Sequence, residues 1–322
     1  MEIIVTDATA GKTVLEVMRR ELALSSAHIK HLKFTDNGIL VDGKRVTVRH
    51  VLQRGERLCL ATDDTEAGEK LIPVSLPLSI VYEDADVAVP DKPPDMPTHP
   101  SCGHYEDTVA NALAYRYAEQ GIPFVFRPVN RLDRNTSGLL LIARNRVAAG
   151  TLYRAMREGA VRKLYLAILE GAPESNEGLI ETYMRRTAAS VILRENCKEG
   201  EGGDLARTRY RVLARGGRFC LVCAAPLTGR THQLRVHFAG LGCPIAGDDL
   251  YGTPSPLIGR HALHSCALSF PRPSDGKRLA VTAALPDDMR AVWEQVGSEI
   301  DLSPERLLSL LAELTEAPDR KD

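Results

Sequence analysis

Apolar residues recur at three- and four-residue intervals in "GKTVLEVMRREL", where Val14, Leu15, Met18 and Leu22 share one stripe, and again at Ile29 and Leu32 in "LSSAHIKHLKF". That period predicts two amphipathic helices, the second capped by Ser25 or Ser26. The period then drops to two. "ILVDGKRVTV" alternates on either side of Asp42-Gly43, a dipeptide suited to a tight hairpin, and "GERLCL" supplies a further strand. Periodicity disappears in the acidic "TDDTEAGEK", which reads as a linker. Beyond it, "PLSIVYEDADVAVPDK" predicts two short strands, "TVANALAYRYAEQG" a helix, "RPVNRLDRNTSGLLLIARN" a strand, a loop and a strand, and "RVAAGTLYRAMREG" another helix. Strands dominate from there. "RKLYLAILEG", "GLIETYMRR", "ASVILREN", "ARTRYRVLARGGRFCLVCAAPL" and "HALHSCALSFPRP" alternate or run apolar, with one helix among them at "THQLRVHFAGLG" and a last one, "SPERLLSLLAELTE", capped at Ser303.

Many strands with few helices between them argue for an α+β fold: a mixed, largely antiparallel sheet with flanking helices, preceded by a small α/β module. The expected divisions are a module over 1–62, a linker over 63–74, a main domain over 75–292 and an acidic, partly helical tail over 293–322. At 322 residues and 44% hydrophobic, the chain can bury such a core. No apolar run approaches the roughly 20 residues of a membrane span, and the start "MEIIVTDATAGK" lacks a secretory pattern. The seven cysteines, odd in number and scattered, fit a reducing compartment. A cytoplasmic protein is the expectation, with a monomer as the default.

A net charge of −1 hides an uneven distribution. Residues 293–322 carry eight acids and three bases, so residues 1–292 hold 38 Lys and Arg against 34 Asp and Glu. Between Gly121 and Tyr165 there are nine bases and two acids, and between Asp204 and Arg235 seven arginines and one acid. Solvated faces account for such runs one at a time; together they point to a polyanion partner.

One acid, Asp133, lies in a predicted loop with Arg127, Arg131, Arg134 and Arg144 around it in sequence. An ion pair is the ordinary meaning of such a group. Acid–base work would need a second carboxylate, and the acids of "AGDDLYG", Asp248 and Asp249, read as a turn between glycines. The third meaning is a nucleophile kept ionised by a guanidinium. Metal chemistry finds little support. His232 and His237 are five apart on a predicted helix and diverge by about 140°, while His261 and His264 fall on opposite faces of a strand. "NTSGL" is not a nucleophile elbow, and Thr136 and Ser137 are expected to satisfy the loop's own backbone. No G-x-G-x-x-G or Walker loop occurs.

"RLDRNTSGLLLIARN" closely resembles the catalytic motif of the RluA-type RNA pseudouridine synthases, written HRLDxxTSGLLL. "DKPPDMPTHPS", "RKLYLAILEG", "LTGRTHQLRVHFAGLGCPIAGDDLYG" and "HALHSCALSFPRP" agree in order and spacing, over roughly residues 75–290. The first sixty residues resemble an S4 RNA-binding domain. The resemblance implies isomerisation of uridine to pseudouridine in structured RNA, most of all ribosomal RNA of the 23S type and secondarily tRNA, with no cofactor and no metal. It implies Asp133 as the essential aspartate, Tyr165 against the target base, Arg235 as partner of the aspartate with Arg230 as the lesser claimant, and Leu263 as an apolar wall. Arg131, Arg134, Arg230 and His232 are expected to hold RNA at the site, with Arg131 entering the gap left by a flipped base. Lys30, Lys33, Lys44 and Arg45 are expected to do so on the S4-like module. Asn130 stands where the motif usually has His. The alternatives are an RNA-binding or ribosome-assembly factor without catalysis, and a glycosidase that releases free base.

Overall fold

The structure is a computed structural model that describes residues 2–22, 24, 26–61, 71–295 and 299–316. The N-terminal module contains β1 (Glu2–Ile4), α1 (Val14–Glu16) continued by a π-helical turn over Val17–Glu21, α2 (Ser26–Phe34), β2 (Ile39–Val41), β3 (Lys44–Arg45) and β4 (Arg57–Leu60). Thr13 and Glu16 form a reciprocal cap at the start of α1. The β2–β3 hairpin turns at Asp42 and Gly43 with φ of 48° and 75°, as the dipeptide predicted. Strand β1, at the edge of the order β1-β4-β2-β3, carried no alternating signal. The expected cap at Ser25 lies outside the described residues, as does most of the expected linker.

The main body contains β5 (Ser79–Glu83), β6 (Val87–Lys92), α3 (Val109–Glu119), β7 (Ser137–Leu139), β8 (Ile142–Ala143), α4 (Arg146–Arg157), β9 (Arg162–Glu170), β10 (Glu177–Arg186), β11 (Arg194–Cys197), β12 (Asp204–Gly216), β13 (Phe219–Pro226), α5 (Gln233–Gly240), β14 (Leu263–Pro271), β15 (Arg278–Thr282), α6 (Asp287–Glu294) and α7 (Pro304–Glu316). Its sheet runs β11-β10-β12-β13-β9-β14-β7-β6-β5, with β15 on β14 and β8 on β6. Pairing is antiparallel except between β7 and β14, so the sheet is mixed and largely antiparallel. That parallel contact brings Gly138, at φ +108°, against the backbone of Ser265. A Cβ on Gly138 would lie 2.3 Å from the Ser265 carbonyl oxygen, so only glycine permits the approach.

Two expected elements change. The strand over "ASVILREN" begins only at Arg194, because Ser190 accepts the backbone N–H groups of Ile192 and Leu193 and bends the chain out of the ladder. The acidic tail contains a core helix: α7 buries Leu307, Leu310, Leu311 and Leu314 in the main hydrophobic cluster. Arg209 donates to the Leu314 carbonyl, and Arg211 pairs with Glu313. The N-terminal module docks on α4, where Val147 joins its core and Arg154 donates to the Arg20 carbonyl.

Candidate active site

The loop between Val129 and β7 is fixed along its length. Asn130 accepts the Leu141 N–H at 2.7 Å, Thr98 donates to the Leu132 carbonyl at 2.9 Å, and Lys92 donates to the Arg134 carbonyl at 2.7 Å. Arg260 reaches the Asn135 carbonyl at 3.1 Å. Thr136 and Ser137 do not close on the loop's own backbone as expected; their hydroxyls meet His261 at 2.8 Å and His264 at 3.0 Å. Burial pushes the imidazoles of His261 and His264 down to about 3 and about 4, so both are neutral partners at neutral pH. Lys92 is fully buried, and burial, followed by Arg260, brings its amine down to about 7 while Asp133 opposes the shift.

This rigid loop presents Asp133, partly exposed, to a cleft of about 600 Å³ that also contains Tyr165, Arg235, Arg230, His232 and Leu263. Tyr165 comes from β9, where it pairs with Ser265 of β14 and Ala224 of β13. Burial pushes its phenol well above the ordinary range; a hydrogen bond from Ser265 opposes this and the charge of Asp133 adds to it. Arg235, on α5 and almost wholly buried, has its guanidinium 3.7 Å from Asp133. Arg230, the lesser claimant, instead donates to the Leu205 carbonyl and pairs with Asp204 at 3.4 Å.

The sequence reading missed the group behind Arg235. Asp248 is completely buried and binds the guanidinium through both oxygens, at 2.7 and 2.6 Å. It also accepts the N–H groups of Leu250 and Tyr251, so the turn expected there exists and orients the acid. Burial disfavours the charge of Asp248, yet the guanidinium holds its carboxyl below the ordinary value. Burial likewise opposes the charge of Arg235, but Asp248 raises its pKa above the ordinary value. A short acid in a turn, thirteen positions from an arginine, carries no periodic signal; its glycine-flanked setting was the available clue.

His232 precedes α5 rather than riding on it, at a left-handed φ of 57°. Its Nε2 lies 3.9 Å from Asp133 and its Nδ1 lies 2.8 Å from the Tyr251 hydroxyl. The Arg194 N–H donates to that hydroxyl oxygen as well, so Tyr251 ties His232 to the start of β11. His237 is structural, bonded to Thr208 and Thr182.

The arginines around Asp133 in sequence separate in space. Arg144 stacks 4.7 Å over the Tyr117 ring and pairs with Glu83, and Arg134 binds Asp95 and His104 at the rim. Arg131 is exposed and lines the cleft. Lys33 and Arg45 line a separate hollow on the N-terminal module with Arg49, and Lys30 and Lys44 are exposed on the same module. Cys220 and Cys223 are buried free thiols, the latter pushed up to about 12 by burial. No helix among the described residues is long and apolar enough to cross a membrane.

Comparison with known proteins gives a consistent picture. Residues 86–240 match the RNA pseudouridylate synthase family model. The chain is 35% identical over 269 residues to the RNA pseudouridine synthase YjbO of Bacillus subtilis, covering 84% of this chain and 94% of that one. It is 30% identical to ribosomal large subunit pseudouridine synthase D of Nitrosomonas europaea, covering 92% and 88%. The solved structure of human RNA pseudouridylate synthase domain containing 1 superposes with a TM-score of 0.59 and 32% identity, over 73% of this chain and 94% of that one.

Proposed function

Since the chain belongs to the RNA pseudouridine synthase family, an RNA-acting isomerase, we propose that it converts specific uridines to pseudouridine in structured ribosomal RNA of the large subunit, with Asp133 as nucleophile. The likeness to ribosomal large subunit pseudouridine synthase D of Nitrosomonas europaea over nine-tenths of the chain favours rRNA over tRNA. The observation that carries the mechanism is a partly exposed carboxylate on an immobilised loop, 3.7 Å from a guanidinium that a second, buried carboxylate holds in place.

The reaction breaks the N1–C1′ bond, turns the uracil, forms the C5–C1′ bond, moves the C5 proton out and leaves a proton on N1. Nothing is oxidised or reduced. Asp133 attacks C1′, or adds to the base, and leaves again when the new bond closes. Arg235, 3.7 Å from Asp133, orients the carboxylate and balances the negative charge that returns to it as it leaves. Burial keeps the Tyr165 phenol protonated, which suits a ring face for the uracil rather than a proton acceptor. Leu263 closes the apolar side. The uridine reaches this floor only after leaving its stack, at a cost of a few kcal/mol, and Arg131 and Arg134 at the rim offset this by holding phosphates and filling the gap. The N-terminal module, which resembles an S4 domain, supplies Lys30, Lys33, Lys44 and Arg45 as a second RNA surface. A cytoplasmic monomer fits this role.

RNA labelled with tritium at C5 of uridine and drawn from cells lacking the protein tests the reading. Wild-type protein releases tritium without free uracil, and Asp133→Asn releases none while binding the RNA with similar affinity. Full turnover by Asp133→Asn refutes the nucleophile; free uracil identifies a glycosidase.

A further inference from the structure

Two donors in the cleft have no protein partner among the described residues. Lys163 stands two residues before Tyr165 on β9, on the same face and about 7 Å along the strand. It lines the cleft with more than nine-tenths of its surface buried. Its ammonium has no acceptor or carboxylate among the described residues, and burial alone brings it down to about 8. Asn130 lines the same cleft, equally buried; its Oδ1 is fixed by the Leu141 N–H, which orients Nδ2, and that amine also lacks a partner. The contrast with Lys92 is direct. That lysine is also buried but donates to two carbonyls, at 2.8 and 2.7 Å.

An unpaired buried donor such as the Asn130 amide is costly, and such a group is kept where a ligand completes it; the Lys163 ammonium, on a mostly buried stem, opens into the same cleft. A ligand with formal negative charge is the strongest partner for such an ammonium, because a charge-assisted hydrogen bond exceeds one to a neutral carbonyl of the kind Lys92 uses. In a flipped nucleotide the uracil and the ribose are neutral, and the charge resides on the flanking phosphates. We propose that Lys163, with the Asn130 amide that lines the same cleft, forms the subsite for a backbone phosphate next to the flipped uridine. This deepens the reading above and rests on it. The subsite clamps the backbone within the cleft while Arg131 and Arg134 work at its mouth, and it gives Asn130 a task that a ring at that position would perform differently.

The test compares wild type with Lys163→Met, which keeps the aliphatic stem, and with Lys163→Gln should the first variant fold poorly. Initial rates on the C5-tritiated RNA, and RNA affinity by filter binding, are measured from 50 to 300 mM salt. Removing a charge-assisted phosphate contact raises KM and Kd about tenfold with a much smaller change in kcat. It also reduces the slope of log affinity against log salt by about 0.7, one phosphate's worth for a single strand. Lys163→Arg recovers part of the slope, and Asn130→Asp, which keeps the Leu141 bond but trades the donor for an anion, raises KM further. Wild-type Kd and slope in Lys163→Met overturn the subsite. A fall in kcat at unchanged KM also overturns it, by placing the amine at the reacting atoms. Absence of tritium release from wild-type protein defeats the isomerase reading instead, and the filter-binding slopes then decide the phosphate site alone.

Discussion

Arg235 is clamped by two oxygens of Asp248 before it approaches Asp133, so its position is set from behind by a buried acid. Neutralising that acid leaves a guanidinium buried with half its partners gone. Asp248→Asn is expected to cost about 3–5 kcal/mol of stability, read in a urea titration, and to lower kcat more than KM because Arg235 no longer faces Asp133. Wild-type stability in that variant would show the clamp to be dispensable. At this scale the sequence was legible where a motif named a position: Asp133, Tyr165, Arg235 and Leu263 all line one cleft. It was silent where a contact depends on three-dimensional return. Asp248 meets Arg235 only because a turn follows α5, and Arg144 leaves Asp133 because Tyr117 and Glu83 lie on the other side.

Elements show the same division. Helices α3, α4 and α5 and the β2–β3 hairpin follow from apolar period, caps and a turn dipeptide. The parallel meeting of β7 and β14 does not, since strand partners distant in sequence leave no local trace. That meeting makes two histidines into fasteners for the Asp133 loop, and it has a pH consequence. His264 and His237 are held down to about 4 and His261 to about 3, below the ordinary imidazole value of about 6.5. Above that value both folded and unfolded chains carry neutral imidazoles, and the stability is fully present. As pH falls below it, the unfolded chain takes up protons that the folded chain refuses, so stability is lost progressively toward pH 4. Urea midpoints measured between pH 7 and 4 should decline, and His264→Gln should decline less steeply than wild type over the same interval. Equal slopes would remove His264 from the account.

The whole molecule is nearly neutral, yet its charge is sorted. Acids gather near α7, where Glu313 and Glu316 pair with Arg211 and Arg162, and bases face the cleft and the N-terminal hollow. The sequence showed this imbalance, but not that α7 would pack on the sheet and hold the acids there. The double variant Lys33→Glu, Arg45→Glu should weaken RNA binding and flatten its salt dependence by one to two phosphate equivalents, about 0.7–1.4 in slope. An unaltered slope would mean that the module contributes shape alone. The glycine at 138 has a last consequence. Its tight seat beneath Ser265 makes the floor under the aspartate intolerant of change, so retargeting toward a new RNA falls to side chains away from that seat, such as Arg131 at the cleft mouth and Lys33 and Arg45 on the N-terminal module. An engineer can exchange those like interchangeable jaws while leaving the anvil as it stands.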